Sequence, residues 1–446
     1  MYYIFGGCRM RKNYIETVKN SLFKSISDLE EISSLFLLRP DKDFTRKRKI
    51  DFQTFIKTLL TMSGNSLNKE LLEFFDFAPD APTVSAFNQQ RAKVLPEAFE
   101  YLFHDFINVV PHNAKTFRGY RLIACDGSNL TIATNPNDAE TYVKVNQFSG
   151  NGNRLHLNVF YDLMNRTYSD AIVQTFAEYN EFRACIQMIE RSKLNNKTIL
   201  IADRGYENYN IFAHVIEKGW KFLIRVKDKE SNGILSGLHL KQKGEFDTEI
   251  TINLTRSQTK SNKEAGYKFM PTCQVFNFLP IGSKDIYTIK FRVVRLEITE
   301  NVYETLITNL DNKHFKPVDL KELYGMRWGI ETSFRELKYA IGLTSFHAKK
   351  VDYIKQEIFA RLTLYNYCEL ITTSIVMKKA ERKQKYQVNF TFAIYVCREY
   401  LRNRRNISPP DVELLIQKHV LPIRPGRRDP RKVKPQSMVS FLYRVA

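Results

Sequence analysis

Paired cysteines and histidines are missing from this sequence of 446 residues. The six cysteines are far apart and form no Cys-x-x-Cys pair; they stand at positions 8, 125, 185, 273, 368 and 397. The eight histidines form no closely spaced pair that would suit a metal ion. This pattern argues against a disulfide scaffold and against a thiolate zinc site, and it is typical of a chain in a reducing cytosol.

Long hydrophobic runs are also absent. No uncharged apolar run reaches the ~18 residues of a transmembrane helix, and the apolar start Met1–Cys8 is too short for a signal peptide. The apolar stretch Phe359–Met377 carries Arg361 and Glu369, which predicts a packed helix rather than a membrane span. With 43% hydrophobic and 13% aromatic residues the chain is not wholly disordered, and its length predicts two or three domains.

Acidic residues become scarce toward the C-terminus. The whole chain has 68 Lys and Arg against 48 Asp and Glu, a net charge of +20. Residues 346–446 hold 21 basic and 8 acidic residues, a net charge of +13, whereas residues 1–117 and 118–345 reach only +2 and +5. Concentrated basic charge favours binding to a polyanion. A solvated basic surface and an anionic membrane are the alternatives.

Residues 14–110 show the spacing of amphipathic helices, because apolar residues recur there every three or four positions. Thr83 precedes the segment Ser85–Val94, which we interpret as a candidate DNA-contacting helix. The basic run Arg46–Lys49 is a candidate phosphate contact, although such runs are common on ordinary surfaces.

From Tyr120 the pattern predicts a mixed α/β sheet. The predicted strands are Arg121–Asp126, His156–Tyr161, Thr167–Thr175, Thr198–Asp203 and Trp220–Arg225, and the predicted helices are Asn180–Ser192 and Tyr209–Lys218.

Residues 228–310 predict an all-β insertion, with strands at Phe246–Leu254, Tyr267–Phe278, Tyr287–Ile298 and Val302–Leu310. A helix is then expected from about Asp319 to Ile341. Beyond it the chain is expected to be helical to about Asn403 and extended after Pro422, where prolines alternate with basic residues.

Two of the predicted strands deliver an aspartate at their C-terminal end. Asp126 is followed by Gly-Ser, and Asp203 by Arg-Gly-Tyr. A carboxylate at a strand end is accessible to solvent and rigidly held, which suits a ligand of a hard cation or a catalytic acid. A turn former or a helix cap is the more ordinary explanation of each aspartate taken alone.

The helix around Glu331 carries a narrow polar face beside its apolar face. With an advance of ~100° per residue, Tyr324, Arg327, Glu331 and Lys338 fall within an arc of about 60°. The ordinary interpretation is a solvated face with an Arg327–Glu331 pair, worth only a few tenths of a kcal/mol.

The pattern Tyr324-x2-Arg327-x3-Glu331-x6-Lys338 resembles, spacing for spacing, the tyrosine–arginine–glutamate–lysine signature of the insertion-sequence-four family of DDE transposases, which includes the transposon-five enzyme. The contexts of Asp126 and Asp203 are similar to that family as well. The resemblance spans roughly 85–435 and is weakest in the first 80 residues.

The resemblance implies a ribonuclease H-like catalytic core, interrupted between the second aspartate and the glutamate by the β insertion. It implies that Asp126, Asp203 and Glu331 are catalytic ligands of two Mg²⁺ ions, with Mn²⁺ as a substitute and Asp126 as the bridging ligand. Two such ions activate a weak nucleophile and stabilise a departing oxygen. The expected reaction is hydrolytic nicking at an element end, followed by attack of the freed 3′-OH on a second phosphodiester.

The resemblance also implies DNA contacts. Arg327 and Lys338 are expected to bind phosphates near the scissile bond, and Tyr324 to offer a hydroxyl or a stacking surface. Trp328 is expected to join an aromatic cluster around a flipped base, with a buried structural tryptophan as the alternative. Arg225 is a further DNA contact or an exposed edge-strand arginine.

Three regions follow from these expectations. Residues 1–117 form a helical region that reads terminal inverted repeats, residues 118–345 form the catalytic domain with its insertion at about 228–310, and residues 346–446 form a basic region for dimer or DNA contacts. Four cations of the tail are expected to bind DNA: Arg427, Arg428, Arg431 and Lys432. The expected partners are double-stranded DNA, both element ends and target, and a second copy of the chain. The expected location is the bacterial cytoplasm at the nucleoid, with no membrane partner.

Two other functions are compatible with the same residues. A metal-dependent nuclease of the same fold would cut DNA without joining it. A transposase-derived regulator would bind DNA without catalysis, and the intact acidic triad argues against it.

Overall fold

The computed structural model describes residues 7–111, 114–144, 151–228, 231–238, 240–241, 244–375, 386–402 and 407–423. These residues build one large mixed sheet with helices packed on both faces, so the predicted mixed α/β class is confirmed. None of the helices in these ranges is long and apolar enough to cross a bilayer.

Helices joined by short connections precede the sheet. They are α1 (Gly7–Glu31), α2 (Phe52–Thr61), α3 (Leu67–Phe74), α4 (Val84–Arg91) and α5 (Glu97–Val109), with a 3₁₀ turn at Ser33–Phe36. The side chains of Asp51, Ser66 and Thr83 accept backbone N–H groups at the starts of α2, α3 and α4, which satisfies donors that a helix leaves free. The helical character expected over 14–110 is therefore what the structure has.

The segment opened by Thr83 does form a helix, but its inner face is not available to DNA. Phe87 and Arg91 of α4 are fully buried. Arg91 donates from Nε to Gln356 Oε1 at 3.0 Å and from Nη2 to Glu357 Oε1 at 3.0 Å. A DNA contact through α4 is thus confined to its outer residues.

The central sheet has ten strands. They are β1 (Arg121–Ile132), β2 (Tyr142–Val143), β3 (Gly152–Asp162), β4 (Thr167–Thr175), β5 (Thr198–Ala202), β6 (Lys221–Val226), β7 (Phe246–Thr255), β8 (Lys268–Phe269), β9 (Ile286–Thr299) and β10 (Val302–Thr308). They lie in the order β4, β3, β1, β5, β6, β10, β9, β7, β8, and the short β2 pairs with the start of β3. Strands β1, β5 and β6 are parallel to one another.

The two faces of the sheet are covered by different helices, as the alternation of side chains along a strand requires. Ile123 and Cys125 of β1 pack with α6 (Glu181–Arg191) and α7 (Tyr209–Glu217). Ala124, between them, packs toward the opposite cluster, which contains the N-terminal helices and α11 (Val351–Ser374). Helix α11 is buried over most of its length, as expected for the apolar stretch that begins at Phe359.

The predicted β insertion does not form a separate sheet. Strands β7, β9 and β10 extend the central sheet beyond β6 through antiparallel pairs. The strand predicted at Tyr267–Phe278 is mostly wrong, because only β8 is strand there and turns follow it. A short helix α8 (Lys260–Glu264) lies between β7 and β8.

The helix expected from Asp319 to Ile341 is interrupted. Helix α9 (Pro317–Met326) ends at Arg327, α10 (Trp328–Arg335) follows, and residues Glu336–Ile341 form a π-helical turn. The remaining elements are α12 (Phe390–Arg402), α13 (Val412–Lys418), β11 (Tyr386–Val388) and β12 (Val420–Pro422). The basic tail, with Arg427, Arg428, Arg431 and Lys432, lies outside the described residues.

Candidate active site

Asp126 lies in the middle of β1, which corrects the expectation that it ends a strand. The parallel pairing of β1 with β5 stops at Cys125 and Ala202, while the antiparallel pairing with β3 continues to Ile132. Asp126 therefore stands where β5 leaves the edge of β1, and its Oδ1 accepts the Gly127 N–H at 2.8 Å.

The charges of the other two predicted acids act on Asp126. Burial raises the pKa of Asp126 to about 6, and the negative charges of Asp203 and Glu331 add to that rise. The Gly127 N–H and the charge of Arg327 act in the opposite direction. The strand register agrees for one of the two, because Cys125 pairs with Ala202 and the next residue of each strand is Asp126 and Asp203.

Asp203 follows directly after β5, as predicted. It caps the 3₁₀ turn Arg204–Tyr206, and its Oδ1 accepts the Gly205 N–H at 2.8 Å. Asp203 thus has the ordinary role of a turn former and also lies beside Asp126.

Glu331 projects from the first turn of α10, and its side chain is partly exposed. Its Oε1 accepts a hydrogen bond of 2.7 Å from Arg327 Nη2. Arg327 itself is buried, and its guanidinium carbon lies 5.6 Å from the Tyr324 ring centroid and 5.3 Å from that of Trp328. The Arg327–Glu331 pair is therefore not the fully solvated surface pair that the charge composition of the helix suggests.

Two polar atoms at this break in the helix are buried without a hydrogen-bond partner among the described residues. They are the Tyr324 hydroxyl and Arg327 Nε. Burial raises the pKa of Tyr324, so the hydroxyl keeps its proton at neutral pH. Both groups are therefore donors that remain unused within the described part of the protein.

Lys338 reaches the site from the π-helical turn. Its Nζ donates to the Asn129 carbonyl of β1 at 3.2 Å. Burial lowers the pKa of Lys338, and the nearby charge of Asp126 opposes this shift. The helical arc predicted for the four signature residues assumed a continuous α-helix, yet Arg327 and Lys338 still both act on Asp126 despite the break and the π turn.

The other predicted contacts occupy the rim. Arg225 on β6 forms an ion pair with Glu304, with Nε 3.2 Å from Oε1, and its charge acts on Tyr324. Trp328 is 58% exposed, which contradicts the alternative of a buried structural tryptophan. Trp328 is thus exposed beside α9 and α10, and Arg225 is partly exposed and paired with Glu304.

The donor set fits divalent cations. Three carboxylates offer the oxygen ligands that Mg²⁺ and Mn²⁺ prefer, and the mutual repulsion that raises the pKa of Asp126 is relieved by a cation between them. Within the described residues no three His, Cys, Asp or Glu side chains are already drawn together at ligand distances. The three acids therefore fit the ions by their chemistry, although they do not form a cage at ligand distances within the described residues.

No role is predicted for His156, which is buried against the residue that follows Asp126. Its Nε2 is 3.0 Å from Glu181 Oε1, and its Nδ1 is 2.9 Å from Asn129 Oδ1. A Cβ on Gly127 would stand 2.3 Å from His156 Nε2, so a side chain there would require a shift of its neighbours. The antiparallel register of β1 and β3 places His156 opposite Asn129.

Comparison with known proteins identifies the family of the chain. Residues 117–367, more than half of the chain, match the family described as "Transposase DDE domain". No curated protein matches. Among solved structures the fold is similar to a chain of the cryo-EM structure of the piggyBac transposase synaptic complex with hairpin DNA, with a TM-score of 0.45 and 7% identity over 90% of this chain and 83% of that chain. The family match covers all three acids and the whole Tyr324–Lys338 segment, and the chain therefore belongs to the transposase DDE domain family.

Proposed function

We propose that the protein is a cut-and-paste DNA transposase of the insertion-sequence-four type, with Asp126, Asp203 and Glu331 as its catalytic acids. The observation that carries the proposal is that the segment matching the transposase DDE domain, residues 117–367, contains all three acids and the whole Tyr324–Lys338 segment. The register of β1 and β5 supports it, because Asp126 and Asp203 each follow the last paired residues, Cys125 and Ala202. The perturbed pKa of Asp126 is typical of catalytic carboxylates.

The sheet supports a ribonuclease H-like core. Its first five strands lie in the order β4, β3, β1, β5, β6, with antiparallel pairs at one side and parallel pairs at the other. The acids come from the centre of this sheet and from α10, which packs against β1 through the core shared by Ala124 and Ile330. Strands β7–β10 would be the insertion between the second and third acids.

Asp126, Asp203 and Glu331 would hold two Mg²⁺ ions, for which Mn²⁺ can substitute. When bound, such ions lower the pKa of the attacking water and stabilise the leaving oxygen. No separate general base from the protein is then needed.

The neighbouring side chains bind and orient the DNA strand. Arg327 is held rigidly by Glu331 and two aromatic rings, so it presents its free N–H groups to a phosphate without a large loss of conformational freedom. Lys338 adds a second cation, and Tyr324 offers its free hydroxyl. Trp328 and Arg225 then contact the bases or backbone that leave the site. The proposed sequence is cleavage at an element end, followed by attack of the 3′-OH on target DNA.

The flanking regions supply recognition. Residues 1–117 would read terminal inverted repeats, with the exposed run Arg46–Lys49 as a phosphate contact. Residues 346–446 carry most of the net positive charge and would contact double-stranded DNA or a second copy of the chain in a paired-end complex.

The test is a cleavage and joining assay. The purified protein is incubated with Mg²⁺ and a DNA fragment that carries its own gene with both flanks. Wild type is compared with Glu331→Gln and with the control Glu264→Gln, which changes an exposed glutamate on α8. Cuts at short terminal inverted repeats and joined products, lost only in Glu331→Gln, are expected. Cuts that are never joined would identify a nuclease, and binding without cuts by wild type would identify a regulator.

A further inference from the structure

A deep groove opens beside Asp203 on a side of the site that does not include Tyr324, Trp328 or Arg225. It consists of two adjoining cavities of about 820 Å³ and about 590 Å³. Both are lined by Phe182, Asn208 and Gln274, and the larger also contains Asp203. We call this continuous space the lateral groove. It leads from the proposed catalytic acid toward the start of α6 and the turn that follows β8.

The half of the lateral groove nearest Asp203 is lined by cations. Arg204, Lys227 and Lys268 all contribute to its wall. The ammonium of Lys268 is held 5.3 Å from the centroid of the Tyr209 ring, and burial lowers its pKa. A half-buried lysine held against an aromatic ring beside an open cavity is well placed to meet an anion.

One of the acids in this wall is engaged by backbone. Glu207 accepts the N–H of Lys227 at 2.9 Å and also the N–H of Ile234. A Cβ on Gly233 would approach Glu207 Oε1 to 2.6 Å, so glycine suits this arrangement of the loop. The charge of Glu207 still acts on Lys268. Across both cavities the four cations of the lining, Arg183, Arg204, Lys227 and Lys268, outnumber its three acids, Asp203, Glu190 and Glu207.

The far half of the lateral groove is lined by the ring of Phe182 and by several side-chain amides. Phe182 is 39% exposed and lines both cavities, and Gln187 and Gln274 line the far one. Phe176 and Tyr179 are exposed nearby in the chain but line neither cavity. An exposed ring offers a stacking surface for a base, and amide side chains can donate to and accept from the edges of bases.

We propose that the lateral groove binds an unpaired segment of the DNA strand that enters or leaves the site at Asp203. Arg204, Lys227 and Lys268 contact its phosphates, a base stacks on Phe182, and Gln187 and Gln274 contact base edges. Cations that follow a backbone beside a stacking platform are the features of single-strand binding. A duplex is disfavoured as the occupant because its bases are stacked on each other and present no face to Phe182.

This inference rests on the proposed function, since it takes DNA as the substrate, but its test does not depend on cleavage. With a chelator present, fluorescence anisotropy compares a blunt duplex with the same duplex that carries a single-stranded extension of about ten nucleotides, a length typical of single-strand sites. Wild type is expected to bind the extended duplex more tightly than the blunt one.

Two variants and two matched controls locate the contact. Phe182→Leu keeps apolar packing but loses the flat ring, and we expect it to lose about tenfold in affinity for the extended duplex only. Lys268→Gln is expected to reduce the salt dependence by about 0.7 in log–log slope. The controls Phe176→Leu and Lys260→Gln change an exposed aromatic and a 91% exposed lysine that do not line the groove. Phe182→Tyr should retain binding, and thermal melting verifies that each variant is folded.

The outcomes separate the two proposals. Equal binding of blunt and extended duplex by wild type, or equal effects of Phe182→Leu and Phe176→Leu, would overturn the groove. Loss confined to the groove variants in a protein that never cuts DNA would support the groove and reject the transposase. Cutting and joining of DNA without any preference for the single-stranded extension would support the transposase and reject the groove as a DNA-binding site.

Discussion

Two clusters of buried acids, one at Asp126 and one at Glu357, differ in how their charges are balanced. Around Glu357, burial alone would raise the pKa, but the charges of Arg91, His347 and Arg361 outweigh it and hold the pKa well below its usual range. Around Asp126, burial and two further carboxylates raise the pKa, and one arginine opposes them. The first cluster is neutralised by its own protein, whereas the second is left with excess negative charge.

This difference distinguishes an acid that stabilises the fold from an acid that serves a functional site. Glu357 lies on α11 and joins it to α4 through Arg91 and to the segment before α11 through the His347 N–H. The negative charge around Asp126 is not balanced by the protein and can be balanced by a bound cation. Substitutions in the Glu357 cluster should therefore lower stability, and substitutions at Asp126 should lower activity without lowering stability.

The largest effect is expected from Asp126→Asn. We expect DNA cleavage to fall by about a thousandfold or more, because an amide is a poor ligand for a cation that two other carboxylates share. The melting temperature should not fall, because a neutral side chain no longer repels Asp203 and Glu331. Initial cleavage rates and a thermal melt measure the two quantities.

The control for this prediction is Asp285→Asn, which changes an exposed aspartate in the turn before β9. It should leave both quantities at the wild-type value. A strong loss of stability in Asp126→Asn would assign Asp126 to the fold and remove the contrast with Glu357.

The next largest effect is expected from Glu357→Ala. Removal of this carboxylate leaves Arg91 and Arg361 buried without their partner, and breaking such a network costs about 3–5 kcal/mol. Urea denaturation measures the free energy of unfolding. The exposed pair Lys260–Glu264 gives the matched control, because Glu264→Ala should cost well under about 1 kcal/mol. Equal losses in the two variants would contradict the structural role of Glu357.

Gly127→Ala should have an intermediate effect on activity. The new Cβ would stand 2.3 Å from His156 Nε2 and 2.7 Å from Glu181 Oε1, so either these side chains or β1 must shift beside Asp126. A displacement of about 1 Å near a reacting centre costs on the order of a hundredfold in rate. Cleavage rates under saturating DNA measure this loss.

A second variant shows whether the loss is steric. Gly127→Ala combined with His156→Ala removes the imidazole that the Cβ would meet, so part of the activity should return relative to Gly127→Ala alone. If the double variant is no better than the single one, the contact with His156 is not the cause.

Much of the fold could be predicted from the sequence because local patterns determine it. The predicted helices Asn180–Ser192 and Tyr209–Lys218 agree with α6 and α7 to within one or two residues, and the strand Thr198–Asp203 agrees with β5. Each has a clear apolar period, and a capping asparagine begins each helix.

The parts that could not be predicted depend on distant partners. Asp126 was placed at a strand end because the sequence does not show that β3 continues to pair beyond it. The break at Arg327 coincides with the burial of its guanidinium near two rings, which a helical period cannot reveal. The contact of His156 with Gly127 could not be predicted for the same reason, since it exists only once β1 and β3 are in register.

The smallest effect is expected at Glu369. This acid is intermediate between the two clusters, because it has an arginine partner but its pKa is still raised. Burial and the nearby Glu336 raise its pKa to about 7, although Arg166 donates to it at 2.8 Å. A raised folded-state pKa means that its contribution to stability is complete below the unfolded value of 4.5 and is lost as the pH rises through 7. The free energy of unfolding of wild type should thus decrease by on the order of 2 kcal/mol more than that of Glu369→Gln between pH 5 and pH 7.5.

Asp126 and the other acids titrate in both proteins, so the difference between the two urea series isolates Glu369. Parallel pH profiles would mean that Arg166 neutralises Glu369 fully, which would place it with Glu357 rather than between the two clusters.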